Sequence, residues 1–350
     1  MSPLIVTAKK LNKRKRIPHN FPDPASIIGE VFKGSTFEGV EVEESEILNK
    51  DLGKWYKDRD GHFYWGGGVE KSAGQINYQT QFATLPAQWL QTRGKNIKVA
   101  VLDTGFFLEH VDLMHLKSTA VIQDFGENNN TNDKQGHGTH VLGLLGARSE
   151  DNGVTGLIPD AEFFLYKVIQ DDVGFLDFFV EAAILDAVKK EVDIISMSFN
   201  VPAMENSSLH NAIKKAVENN IVIVASAGEN DNLIQSSLVA PAKFEGVISV
   251  GEASPEFSQA LRAPFNDQLD FIMPFVFQKS CWINQSTGMY HELKGSSMAT
   301  ALIAGILASI MSFNKKETNA LNELKNIAEV FSSTVFNDLA LKVIKPKSLT

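Results

Sequence analysis

Three short segments carry side chains that can do chemistry. Asp103 follows the apolar run Ile97-Lys98-Val99-Ala100-Val101-Leu102 and precedes Thr104-Gly105. A carboxylate there is either held by the loop's backbone N–H groups at a strand end, where α/β sheets collect ligands, or it is a turn-capping Asp. Gly136-His137-Gly138-Thr139-His140 opens the apolar stretch Val141–Leu145. Its glycines let other backbone approach closely and leave the His137 ring accessible. His137 and His140 are three apart, so on a helix they share a face and invite a metal reading. The zinc-protease pattern H-E-x-x-H is absent, which argues against zinc. Gly295-Ser296-Ser297-Met298-Ala299 opens a small-residue helix through Ala301, Ala304, Gly305 and Ala308. A serine at that place is an N-cap, or a nucleophile whose neighbouring amides stabilise an oxyanion.

The order of the three segments resolves them. Asp, His and Ser follow one another as in subtilisin, not as in chymotrypsin or the α/β-hydrolases. The stretches KVAVLDTG, GHGTHVLG and GSSMATALIAG resemble the three signature blocks of subtilisin-like serine proteases, the subtilases. Linking segments at Gly153–Val168, Val192–Phe199, Ile221–Gly228 and Ala240–Gly251 resemble the family as well. The resemblance runs from near Ile76 to near Phe313, about two-thirds of the chain.

The resemblance implies a serine endopeptidase working through an acyl-enzyme. Ser297 would attack the scissile carbonyl. His137 would take its proton and pass it to the leaving amine. Asp103 would orient His137, and the Ser297 backbone N–H would supply one oxyanion donor. The chemistry needs no cofactor, and the partners implied are protein or peptide substrates.

Three positions depart from the family. Its second oxyanion donor is usually the Asn of an A-G-N sequence, whereas this chain reads Ala227-Gly228-Glu229-Asn230. Three readings stay open: a shifted loop presents Asn230, Glu229 is protonated, or the enzyme is slow or inactive. In subtilisin itself, loss of that donor is known to cost about 100- to 1000-fold in kcat. Ser198-Phe199-Asn200 stands where the family has S-L-G, an edge that pairs with extended substrate. Asn200 adds bulk there and narrows the pocket. Ala301 replaces a first-turn proline, with little effect expected. The alternative function is therefore a weak or silent subtilisin-like protein that binds peptides or a protein partner. Many subtilases also hold a structural Ca²⁺ at places matching Asp112 and the Ser149-Glu150-Asp151-Asn152 loop. Oxygen ligands from Asp112 and Glu150 would suit that ion, and a solvated acidic loop is the competing reading.

These residues need a frame. Apolar runs at Ile97–Leu102, Ala161–Val168, Val192–Phe199, Ile221–Ala227 and Gly246–Val250 read as strands. Helix-spaced stretches fall at Gly138–Gly146, Val173–Lys190, Ser208–Asn219 and Ser297–Phe313. Their alternation predicts an α/β fold: a subtilisin-like, mostly parallel sheet with helices on both faces. We assign it a catalytic domain over 73–350.

Two further parts precede that domain. Residues 1–24 hold Lys9, Lys10, Lys13, Arg14, Lys15 and Arg16, read as a basic, solvated, flexible arm. Residues 25–72 read as a small β-rich module, with Asp60-Gly61 between aromatic runs as a hairpin signal. Lys54–Val69 resembles the hairpin of a bacterial SH3-like barrel. A β-rich cap or propeptide-like segment is the alternative, and a binding role for the module is a third functional idea.

Composition sets the remaining bounds. The 350 residues carry a net charge of −9, which argues against a nucleic-acid binder held by phosphate contacts. The single cysteine, Cys281, excludes an intrachain disulfide, and with Ser297 as nucleophile its role is structural or incidental. The longest apolar stretch, Met298–Phe313, is too short to span a bilayer. Leu4-Ile5-Val6 is far short of a secretory h-region. The sequence therefore reads as cytoplasmic, with signal-independent export as the alternative.

Overall fold

Lys10, Lys13 and Arg14 of the basic run near the N-terminus lie in a β-strand, Lys10–Arg14. The structure, a computed structural model, describes residues 2–6, 10–15, 27–32, 36–42, 55–65, 69–71, 76–78, 85–126, 129–149, 153–170, 174–175, 177–228, 238–253, 269–274, 278–283, 289–316, 319–333 and 339–343. The chain divides into two units: Met1–Gln75 with Asn284–Met289, and Ile76–Ile283 with Tyr290–Thr350.

The first unit is one antiparallel sheet. Its strands are Ser2–Val6 (β1), Lys10–Arg14 (β2), Ile27–Phe32 (β3), Thr36–Glu41 (β4), Trp55–Asp58 (β5), Phe63–Trp65 (β6) and Val69–Lys71 (β7). They lie in the order β3-β2-β6-β5-β4-β1-β7. Lys10, Lys13 and Arg14 thus take part in strand pairing, while Lys9 and Arg16 lie outside the described residues. The Asp60-Gly61 hairpin is present: Gly61 takes φ +83°, and Tyr56 pairs with Tyr64. It contributes two of seven strands, which does not support the SH3-like resemblance. Fully buried Trp55 packs with Val42 and Phe63 beneath it.

The second unit is built on Lys98–Asp103 (β8), whose side chains alternate between two cores. Val99 and Val101 enter one cluster, and Ala100 and Leu102 the other. A strand covered on both faces reads as a continuous apolar run. Its companions are Val121–Asp124 (β9), Glu162–Lys167 (β10), Ile194–Met197 (β11), Val222–Ser226 (β12), Val247–Ala253 (β13) and Phe271–Pro274 (β14). Gln278–Cys281 (β15) and Tyr290–Leu293 (β16) form a separate antiparallel hairpin. Glu329–Ser333 (β17) and Leu339–Val343 (β18) complete the large sheet. Its order is β9-β10-β8-β11-β12-β13-β14-β18-β17, with every pair parallel except β17 and β18. The fold is the expected α/β arrangement.

Helices cover both faces. In chain order they are Ala87–Gln91 (α1), His137–Gly146 (α2), Asp177–Lys189 (α3), Ser208–Glu218 (α4), Ser296–Phe313 (α5) and Ala320–Ile327 (α6). Residues of α3 and α4 fill the cluster with Ala100 and Leu102, and residues of α1, α2, α5 and α6 fill the other. Helix α5 has 18 residues and a mean hydropathy of 1.7, enough by length and composition to cross a membrane. It is 78% buried inside the protein, which marks it as a core helix. Each fully buried Leu or Ile on it contributes about 1.5–3 kcal/mol.

Candidate active site

Asp103 is the last residue of β8, at the carboxyl end of a central strand. It is fully buried. Its Oδ1 accepts from the Thr104 backbone N–H at 2.8 Å and lies 2.7 Å from His137 Nδ1. An ionised carboxylate only accepts, so Nδ1 carries the proton and Nε2 is the basic nitrogen.

His137 opens α2 because Gly136, in a left-handed conformation at φ +93°, turns the chain into the helix. A Cβ on Gly136 would lie 2.6 Å from the Trp282 ring. One on Gly138 would run into the Gly105 carbonyl oxygen and come within 3.0 Å of the Asp103 Cβ. The two glycines flanking His137 are therefore space requirements: they let α2 approach the Asp103 loop closely enough for a 2.7 Å hydrogen bond.

Ser297 is the second residue of α5, among the helix N–H groups that have no partner within the helix. Its hydroxyl donates to the Ser198 carbonyl oxygen at 2.8 Å, and the Ser198 hydroxyl donates to the Ser297 carbonyl at 2.9 Å. The single hydroxyl proton of Ser297 thus faces Ser198. Neighbouring Ser296 is buried, with its hydroxyl 2.7 Å from that of Ser226.

Residues 94–330 match the family model of the subtilases. This chain belongs to the subtilase family. It is similar to an intracellular serine protease of Paenibacillus polymyxa, at 33% identity over 277 residues, covering 76% of this chain and 82% of that protein. The major intracellular serine protease of Bacillus subtilis (strain 168) is 34% identical over 272 residues, 74% of this chain and 82% of its own length. Subtilisin DY of Bacillus licheniformis is 31% identical over 235 residues, 67% of this chain and 82% of its own length. The protein is a subtilisin-like serine endopeptidase, and protein chains are its substrates.

At the subtilase substrate edge, the structure separates the three expected residues. Ser198 meets Ser297. The Phe199 side chain is buried in the core with α3 and α4. The Asn200 amide reaches across from the end of β11 to the end of β12, where Nδ2 donates to the Ser226 carbonyl at 2.8 Å. Its Oδ1 stands 3.3 Å from where a Cβ on Gly228 would lie. The next residues, Glu229 and Asn230, lie outside the described residues.

Several nearby groups have structural work. His140 is buried, and its Nε2 donates to the carbonyls of Gln278 at 2.9 Å and His291 at 3.0 Å. Burial pulls its pKa down to about 3, so it stays uncharged at neutral pH and pins the β15–β16 hairpin to α2. The shared helix face with His137 is thus a packing arrangement. Cys281 is fully buried, and burial pushes its thiol well above the usual range. A protonated, inaccessible thiol is no nucleophile.

Asp112 is buried beside His110 and Cys281. Its Oδ2 accepts from the Val154 N–H at 2.8 Å, Tyr290 donates a side-chain hydrogen bond to it, and its own N–H donates to His110 Nδ1 at 3.1 Å. Ca²⁺ takes six to eight oxygen ligands. Among the described residues, these N–H and O–H donors, a thiol and an imidazole do not make such a cage. Glu150, the other expected ligand, lies outside the described residues.

Sequence reasoning missed Asp133. This buried carboxylate lies four residues ahead of His137 and accepts from both Gly136 N and Thr139 N. The available signal was a helix whose N-cap is a glycine. Such a helix has no side chain of its own at the cap and draws an acceptor from elsewhere.

Proposed function

We propose that the protein cleaves peptide bonds through Asp103, His137 and Ser297 by way of an acyl-enzyme. The observation that carries this is the 2.7 Å hydrogen bond between His137 and the buried Asp103, made where β8 ends and α2 begins. Ser297 Oγ attacks the carbonyl carbon while its proton passes to His137 Nε2. The C–N bond breaks, and that proton leaves with the amine. Water then attacks the ester and gives a proton to His137. Ser297 Oγ departs with this proton, restoring the starting state. Asp103 keeps the imidazole in the right tautomer and stabilises its cation. The Ser297 N–H at the start of α5 faces the oxyanion. Asn230 or Glu229 is the proposed second donor, and Glu229 could serve only when protonated. No step requires a cofactor. The two relatives described as intracellular serine proteases support a cytoplasmic location.

A fluorophosphonate probe tests the reading. The intact protein is expected to form one adduct, and peptide mass mapping should place it on Ser297. Labelling that rises toward acid pH would mean that Glu229 must be protonated. No adduct at any pH would overturn the enzymatic mechanism and favour the silent peptide-binding alternative.

Asn200 should set selectivity at the residue whose carbonyl is attacked. Its side chain fills space between the ends of β11 and β12, so a small residue fits best there. Asn200→Gly is expected to raise kcat/KM for a phenylalanine substrate relative to an alanine one by about tenfold or more, a typical difference for a few methylenes in a pocket. An unchanged ratio between two such chromogenic peptides would remove Asn200 from the pocket.

A further inference from the structure

We infer that Asp133 is a positioning residue that holds the two halves of the Asp103–His137 pair in register. The inference rests on the triad reading above. Asp133 is only 6% exposed. Its Oδ1 accepts from Gln135 N at 3.0 Å, Gly136 N at 2.8 Å and Thr104 Oγ1 at 3.0 Å. Its Oδ2 accepts from Thr139 N at 2.9 Å and Thr139 Oγ1 at 2.6 Å. Five donors on two oxygens compensate for burying the charge, and the start of α2 adds a favourable dipole.

The partners matter more than their number. Thr104 adjoins Asp103, and Gly136 and Thr139 bracket His137. Gly138 N donates to Thr104 Oγ1 at 2.9 Å, so the backbone on both sides of His137 is tied into this network, directly or through Thr104. Thr139 Oγ1 in turn accepts from Phe107 N at 3.0 Å. The loop after β8 and the start of α2 are thereby one hydrogen-bonded body with Asp133 at its hub. Asp133 touches neither His137's ring nor the nucleophile. Its effect passes through the separation of Asp103 and His137, where a displacement of about 1 Å can cost 100-fold in rate.

The test uses the full chain carrying Asp133→Asn, Thr104→Val or Thr104→Ser. An asparagine turns an NH2 group toward N–H donors, and valine removes the hydroxyl while keeping the shape. Asp133→Asn and Thr104→Val are each expected to lower kcat by about 100-fold with KM changed less than about twofold, as for loss of alignment. Both should also weaken or move the low-field proton resonance of the His137 Nδ1–H. Thr104→Ser keeps the hydroxyl and should stay within about threefold of the parent. Folded variants with unchanged kcat and an unchanged resonance would overturn the inference. If Asp133→Asn fails to fold, the Thr104→Val and Thr104→Ser pair decides alone: equal activities refute it. The proton resonance needs no turnover, so an inactive parent would sink the catalytic reading without masking this result.

Discussion

Ser297→Ala is expected to lower peptide hydrolysis by about a million-fold in kcat and to abolish fluorophosphonate labelling, in a protein that still folds. The size of the loss is the one established for a subtilisin nucleophile. The structure explains why no neighbour can substitute. Ser296 is next in sequence, but it is buried and its hydroxyl is engaged with Ser226. Ser198 offers its carbonyl oxygen toward Ser297 and donates its hydroxyl to the Ser297 carbonyl. Cys281 is buried and protonated. The fold should survive because the substitution removes one side-chain hydrogen bond, worth about 1 kcal/mol. Residual hydrolysis about 10³–10⁴ above water is expected from binding and oxyanion contacts. Steady-state rates and labelling of purified variant and parent check the result. Activity retained above one part in a thousand would mean that another residue is the nucleophile.

Asp103→Asn should cost about 10⁴-fold in kcat while leaving KM nearly unchanged, as in other serine-protease triads. Asp103 Oδ1 accepts from both the Thr104 N–H and the His137 ring. An asparagine can keep its carbonyl oxygen in that place. Its NH2 group then fills the Oδ2 position, which is buried with no partner among the described residues. Turning the amide over relieves that burial but aims NH2 at His137 Nδ1. The ring must then accept at Nδ1 and carry its proton on Nε2, the nitrogen that should receive the serine proton. Either orientation also removes the anion that stabilises the imidazolium. Kinetic constants measured with one peptide substrate check this. A loss smaller than tenfold would show that Asp103 is not the orienting group.

Much of the second unit is legible in its residues alone. The run Ile97–Leu102 is apolar at every position but Lys98, and a strand covered on both sides requires that. The helix spacings at Ser208–Asn219 and Ser297–Phe313 match α4 and α5 to within one residue at each end. Strands β9 and β14 escape the same reading. Each has four residues and carries an Asp-, Gln- or Pro-containing segment too short to show a period. The first unit is the least legible. A basic composition signals solvation, but Lys10–Arg14 pairs along β3 through backbone groups that composition does not register.

The candidate site divides along the same line. The identities of Asp103, His137 and Ser297, their order and the family they imply follow from residues adjacent in the chain. Those residues must satisfy local demands: a strand end, a glycine-flanked helix start, a serine at a helix N-terminus. The contacts that prepare them are not local. Ser198 and Ser297 are 99 residues apart, and His140 meets the His291 carbonyl across 151. Asn200 reaches Ser226 only because β11 and β12 are sheet neighbours. Asp133 needs Thr104, 29 positions upstream, to become a hub. The sequence by itself determined which side chains can carry chemistry, because residue type and local spacing encode that. Only the tertiary structure decided that Asp133 ties Thr104 to the start of α2, that His140 pins the β15–β16 hairpin and that the Asn200 amide bridges to Ser226. Those roles depend on strand order and close packing, where a hydrogen bond is made or lost within about 1 Å.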